Sequence, residues 1–265
     1  GNPFCKWDGE LKCLSPYFIY DNKVLFDKDK STIISFRDKD TTSYVIPDRV
    51  SGIGSGAFYD CKFLESLIIP DSVTYIGYYA FGGCKSLKSL VLPDNIARIE
   101  DNVFDCCASL NDIVLPDSVT RIGNAAFSYC SSLSNIVIPN GVTSIGTWAF
   151  SGCSSLSNII LPDSVTRIGN AAFVGCSSLK SIVIPNGVTR IGTWTFLYCC
   201  SLSNIVIPDS VTRIGSIAFQ FCYSLSTISI PDSVTRIGGR AFHDCYFPND
   251  LKQELISRFG EKIFE

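Results

Sequence analysis

The sequence predicts a β-rich repeat solenoid, a chain wound into stacked coils so that each column of the sequence becomes a row on the molecule. Three observations carry that prediction. Pro recurs at 47, 70, 93, 116, 139, 162, 185, 208 and 231. Phe recurs at 58, 81, 104, 127, 150, 173, 196, 219 and 242, and Cys at 61, 84, 107, 130, 153, 176, 199, 222 and 245. Every step is 23 residues, without one insertion or deletion. A unit of that length cannot bury its apolar face alone, so neighbouring units must stack.

The unit reads P-D-S-V-T-R-I-G-x-x-A-F-x-x-C-S-S-L-x-x-I-x-I, and nine copies occupy residues 44–247. Its length falls within the roughly 20–29 residues of leucine-rich repeats, where each turn gives one short strand. That strand is expected just before each Pro, as in Ile136-Val137-Ile138. Alternation along a strand sends Ile136 and Ile138 inward and Val137 outward. Pro then ends the strand, because it lacks an N–H and fixes its own φ. The β-branched Val-Thr-Arg-Ile-Gly stretch predicts a second extended segment on the opposite wall. Its glycine (Gly123, Gly146) is expected to permit a tight corner, one that tolerates a side chain where Glu100 stands in. The Ala-Phe pair delivers one ring per coil to the core, predicting a spine of nine stacked phenylalanines. Residues 124–169 and 170–215 are near copies, which adds a 46-residue period and points to a duplicated double unit.

The ends must differ, because a terminal coil would otherwise expose its core. Within 1–43, Tyr17-Phe18-Ile19-Tyr20, Val24-Leu25-Phe26 and Ile33-Ile34-Ser35-Phe36 predict a small antiparallel meander as an N-terminal β cap. Within 248–265, Pro248-Asn249-Asp250 opens a helical pattern that places Leu251, Leu255, Ile256 and Phe259 on one face, and Gly260 stops it. This is expected to be a C-terminal capping helix.

The strings Ile-Pro-Asp-Ser-Val-Thr-Arg-Ile-Gly and Ala-Phe-x-x-Cys-x-Ser-Leu, repeated from about Tyr44 to Cys245, resemble the BspA-like leucine-rich repeats of anaerobic bacteria and some protists. The segment Val24-Leu25-Phe26-Asp27-Lys28-Asp29-Lys30 is similar to the entry module of that family. The resemblance implies a leucine-rich-repeat solenoid with a parallel sheet on its concave face. It also implies a non-catalytic protein-binding module, secreted or at the bacterial cell surface, with adhesion to host matrix or cell-surface proteins as the role of characterised members. It brings no catalytic motif.

Composition narrows the function classes. With 46% hydrophobic and 18% charged residues, the chain has ample apolar surface to bury and is not disordered. The net charge is -3 and no run of like charges stands out, so no nucleic acid partner is expected. No apolar run approaches the roughly 18–20 residues that cross a bilayer, so direct membrane insertion is not expected. The chain begins Gly1-Asn2-Pro3 and holds no Met, so its native start is expected to lie elsewhere, and a removed signal peptide is compatible with that. It also carries no Asn-x-Ser/Thr acceptor, which counts against a heavily glycosylated eukaryotic ectodomain.

The residues able to carry chemistry are few. Nine of the 13 cysteines share one repeat position and are expected to form a ladder of buried thiols with weak hydrogen bonds to the loop. Neighbouring rungs are poorly oriented for disulfide geometry. Cys-x-x-Cys pairs are absent, which leaves no metal motif. Of the leftover Cys5, Cys13, Cys106 and Cys200, the first two are close enough in sequence to pair inside the cap. His243, the sole histidine, is expected in an exposed loop, and Gly52, Gly54 and Gly56 belong to the repeated corner rather than to a phosphate loop. No cofactor and no catalysis are expected. An Arg column (Arg98, Arg121, Arg167, Arg190, Arg213, Arg236) follows an Asp column (Asp94, Asp117, Asp163, Asp209, Asp232) by four residues. The expected arrangement is a self-neutralising row of weak surface ion pairs; the sharper alternative is an anion-binding stripe.

The candidate site is the outward strand position: Ile68, Val91, Val114, Val137, Ile160, Val183 and Val206, ending at Ser229. A half-buried strand normally places polar residues there. Two readings stand, a partner-binding apolar stripe or plain β propensity with packing between rungs. Two functions follow, a module that binds a protein ligand and a structural spacer with homotypic association.

Overall fold

The computed structural model describes residues 13–265, so the option of a Cys5–Cys13 pairing falls outside the described residues. The chain is a solenoid whose coils stack mostly through parallel strands. At the N-terminal end Phe18–Asp21 (β1), Val24–Asp27 (β2) and Thr32–Phe36 (β3) form the predicted antiparallel meander. The cap is continuous with the stack, since β3 pairs in parallel with Gly52–Ile53 of the first repeat.

Each coil has three sides. The first wall holds the strand before each Pro: Ser43–Val45, Ser66–Ile68, Ser89–Val91, Asp112–Val114, Ser181–Val183 and Asn204–Val206. Between the fourth and fifth of these, the ladder thins to the single bridges Val137↔Ile160 and Asn158↔Ser181. Alternation is as expected, with Ile136 and Ile138 buried and Val137 exposed. The second wall holds two-residue strands such as Arg121–Ile122 and Ser144–Ile145, with Ile inward and its neighbour outward. A turn between the walls is closed by the Val N–H to the Pro carbonyl (Val142 to Pro139, 3.0 Å).

The third side carries Ala-Phe-x-x-Cys and is a run of tight turns. The N–H of Ala149, Ser151, Cys153 and Leu156 each bonds the carbonyl three residues earlier. The turns need two left-handed positions per coil, at Trp148 and Gly152 and their counterparts. The same positions hold Tyr79 and Tyr129, and even the β-branched Ile217 at φ 61°, so the stack imposes the conformation rather than residue preference. The corner glycines act differently from expectation. Gly146 is not left-handed, but a Cβ there would sit 2.4 Å from the carbonyl carbon of Gly123 one coil back. These glycines allow two backbones to approach, and Glu100 stands at a gap in the second wall, between Tyr75–Ile76 and Arg98–Ile99.

The core is the Phe column. All nine rings are fully buried and stack 5.3–5.6 Å apart. Phe36 from β3 adds a tenth ring 4.9 Å below Phe58, and Phe247 and Phe264 close the other end against Phe242. Each Phe N–H, from Phe36 to Phe242, donates to a carbonyl of the following coil at 2.7–3.0 Å. The polar consensus residues are stitches: Ser118, Ser164 and Ser210 donate to the Val or Ile carbonyl one coil back, and beside them Thr143 and Thr212 donate to the carbonyls of Thr120 and Thr189.

The C-terminal helix runs Asn249–Phe259 (α1), starting after Pro248 and stopped by Gly260 at φ 82°. Leu255 is buried, with Leu251 and Phe259 packed against the core. Beyond expectation, the tail then makes one more rung: Arg240 and Phe242 donate to Lys262 and Ile263 at 2.7 and 2.9 Å. Arg258 of α1 donates to the Ile230 and Pro231 carbonyls, covering the last edge of the first wall.

A mid-stack ring has rigid neighbours on both sides and nothing to collapse into its place. Phe150→Ala is therefore expected to cost about 3–5 kcal/mol, against clearly less for Phe150→Leu, in equilibrium urea unfolding. Equal and small losses for both would mean that the rings do not carry the stack.

Candidate binding surface

All seven predicted stripe residues stand on the first wall in adjacent coils and point into solvent. Val137 and Ile160 at mid-stack keep 75% and 74% of their surface exposed, and even Val206 keeps 48%. Register pairs them directly: Val91↔Val114, Val137↔Ile160, Val183↔Val206. Val45, paired with Ile68 and 62% exposed, is an eighth member that the sequence reading missed. Its signal was present, since Val45-Ile46-Pro47 repeats Ile68-Ile69-Pro70 one period earlier. Together they leave an apolar strip on the order of several hundred Å², the size of the larger patches on soluble proteins. Packing between rungs does not hide them.

The strip has polar borders and one opening. Ser66, Ser89, Asp112, Asn135, Asn158, Ser181 and Asn204 flank it and are exposed. Between Ser66–Ile68 and Ser89–Val91 the two strands are not paired, and a shallow cleft of about 290 Å³ opens there, lined by Ile68, Val91 and Pro93.

The second wall departs from expectation. None of the six column arginines lies within 4.0 Å of a carboxylate among the described residues. Of the Asp column only Asp232 joins an ion pair, 3.6 Å from Arg258 of α1. The reason is the intervening turn: Asp sits at its exposed corner just after Pro, while Arg projects from the strand beyond it. The row is not self-neutralised.

The thiol ladder is structural. Cys84, Cys107, Cys130, Cys153, Cys176, Cys199, Cys222 and Cys245 each donate from Sγ to the Phe carbonyl of the previous coil at 3.1–3.2 Å. Burial pushes these thiols up, Cys153 and Cys245 to about 12. The first rung differs, because Lys39 Nζ reaches both the Tyr59 carbonyl (2.6 Å) and Cys61 Sγ (3.3 Å). Its hydrogen bond with Cys84, helped by that ammonium, holds the Cys61 thiol below the usual range. His243 is only part-exposed and not idle: its Nδ1 lies 2.8 Å from the Phe264 carbonyl and ties down the tail. Among the described residues, no group of three or more His, Cys, Asp or Glu converges as a metal site.

The model of the BspA type leucine rich repeat region matches residues 33–155 and 120–249, in six copies. The chain belongs to this family. A leucine-rich repeat protein from Bacteroides ovatus superposes with a TM-score of 0.75 at 31% identity, over 90% of this chain and 64% of that one. The chain thus spans just under two thirds of that relative. The leucine-rich repeat protein of T. pallidum is similar at 26% identity, with a TM-score of 0.50, over 93% of this chain and 95% of that one. No curated protein matches. BspA-type repeat proteins are generally protein-interaction modules, and no helix among the described residues is long and apolar enough to cross a membrane.

The ladder makes this BspA-type chain sensitive to alkali. A thiol that stays protonated when folded but ionises near pH 8.5 when unfolded leaves the unfolded state with fewer bound protons above that pH. Stability is then fully present below about pH 8.5 and falls as pH rises toward the folded value near 12. Every rung whose thiol stays protonated in the folded chain adds to that loss. Urea midpoints measured at pH 7, 9 and 10 are expected to drop steeply, and less steeply for Cys153→Ala; a flat profile would contradict the ladder. In the native state a thiol reagent should modify the part-exposed Cys106 and Cys200 long before the buried rungs.

Proposed function

We propose that this chain is a secreted or surface-displayed bacterial interaction module that binds a protein through the stripe from Val45 to Val206, on the concave side of the solenoid. The observation that carries the reading is the row of eight exposed β-branched side chains in register on one wall. Such a row is water-exposed apolar surface that does nothing for the core beneath it, and a partner that covers it gains the burial. The polar border of Ser and Asn supplies hydrogen-bonding groups around an apolar centre, the usual anatomy of a protein interface. An extended solenoid wall suits an extended protein surface better than a small molecule, which needs a concave pocket. Catalysis has no support from the residues on either wall. The class of partner is a host matrix or cell-surface protein, as for the characterised members of the family.

The test replaces the centre of the stripe. Binding to a panel of immobilised matrix proteins is expected to fall at least about 30-fold for the Val114→Asp, Val137→Asp, Ile160→Asp triple variant, the loss that one hot spot of roughly 2 kcal/mol gives. Its circular dichroism should stay unchanged and its urea midpoint should fall only modestly, because these side chains are half or more exposed in the free protein while three aligned carboxylates repel one another. Undiminished binding would discard the stripe. Small-angle scattering across protein concentration separates the homotypic alternative, in which the wild type associates and the triple variant stays monomeric.

A further inference from the structure

Arg190, Arg213 and Arg236 are three like charges on three consecutive coils. They are paired residue for residue in one parallel sheet, Arg190↔Arg213 and Arg213↔Arg236. Strands in a sheet lie about 4.8 Å apart, so the three positions cover roughly 10 Å along the stack. All three residues are exposed. None has a carboxylate within 4.0 Å among the described residues. Like charges directly opposite each other weaken a sheet, so the row costs the fold something and returns nothing to it. The N-terminal part of the same column is less dense, because Ser144 interrupts Arg121 and Arg167.

A groove of about 270 Å³ runs beside the three arginines. Gly192, Gly215 and Gly238 line its floor, where the lack of a side chain lets each coil's backbone lie directly against the one before it. Thr193, Ser216 and Asn170 line it with hydroxyl and amide groups, and no aromatic ring does.

We propose that this groove binds a linear acidic polysaccharide, with successive carboxylate or sulfate groups held by Arg190, Arg213 and Arg236. The guanidinium fork matches planar carboxylates and the oxygens of sulfate-like anions. A ligand that repeats its charge engages a site that repeats its cation, and each further contact is made at high effective concentration. The sugar hydroxyls meet Thr193, Ser216 and Asn170. Nucleic acid fits less well, since single-stranded bases need aromatic platforms that the groove lacks. The site is on the second wall, apart from the apolar stripe on the first, so its test is independent of the protein-binding reading.

The experiment measures binding of the full chain to heparin oligosaccharides (sulfate), oligogalacturonate (carboxylate), neutral dextran, inorganic sulfate, polyglutamate and oligodeoxythymidylate at fixed salt. At least one acidic polysaccharide is expected to bind at least about tenfold more tightly than inorganic sulfate, with none to dextran. Arg190→Gln, Arg213→Gln, Arg236→Gln should lower that affinity about tenfold or more. Lys62→Gln, Lys85→Gln, Lys180→Gln removes the same charge elsewhere and should leave it nearly unchanged. Failure of both acidic polysaccharides to bind overturns the proposal, as does an equal loss in the lysine variant. Equal affinity for polyglutamate or the oligonucleotide overturns the assignment to polysaccharide.

Discussion

Every coil of this protein depends on one backbone unit, the Phe residue of the third side. Its ring stacks on the rings before and after it, and its N–H bonds a carbonyl of the following coil. Its carbonyl accepts both the Cys N–H three residues on and the Cys thiol of the next coil, as Phe127 does from Cys130 and Cys153. One residue therefore satisfies its backbone, fills the core and sets the spacing. The walls are less continuous. The first wall is unpaired between Ile68 and Val91 and between Val114 and Val137, and the second between Ile76 and Arg98 and between Ile168 and Arg190. The ladder of Phe N–H groups is intact at all ten steps. Strict spacing of 23 residues follows from this, since one extra residue would take a ring, a thiol and two hydrogen bonds out of line together.

That spine leaves the two walls free to differ. The inward residues of both are fixed by packing, whereas the outward residues answer to solvent and partners. On the first wall the outward row is apolar from Val45 to Val206. On the second it is cationic over Arg190, Arg213 and Arg236. Each row runs along the stack because register turns one sequence column into one line. A solenoid of this kind can hold two chemically different stripes on one rigid body without either disturbing the core.

The cysteines illustrate how position silences chemistry. Thirteen thiols in a chain of this size would ordinarily signal disulfides or metal. Here eight of them each donate one hydrogen bond to a Phe carbonyl and lie in apolar surroundings that disfavour the thiolate. A thiol is small enough for the space beside the ring and polar enough for the carbonyl's second lone pair. Serine offers a comparable donor at a greater desolvation cost, and alanine offers no donor.

Spacing and alternation in the amino-acid sequence by themselves determined the solenoid, the inward and outward assignment of Ile136, Val137 and Ile138, both caps and seven of the eight stripe positions. Those features are local or periodic, and a period is visible without coordinates. Only the tertiary structure decided what depends on neighbours 21–26 residues away: the glycines needed for close backbone approach, the left-handed positions held by Trp148 and Ile217, and the rung made by Ile263. It also separated the Asp and Arg columns, which a four-residue offset had placed together. Sequence distance measures a path along the chain, and the turn after each Pro redirects that path between two side chains that would otherwise meet.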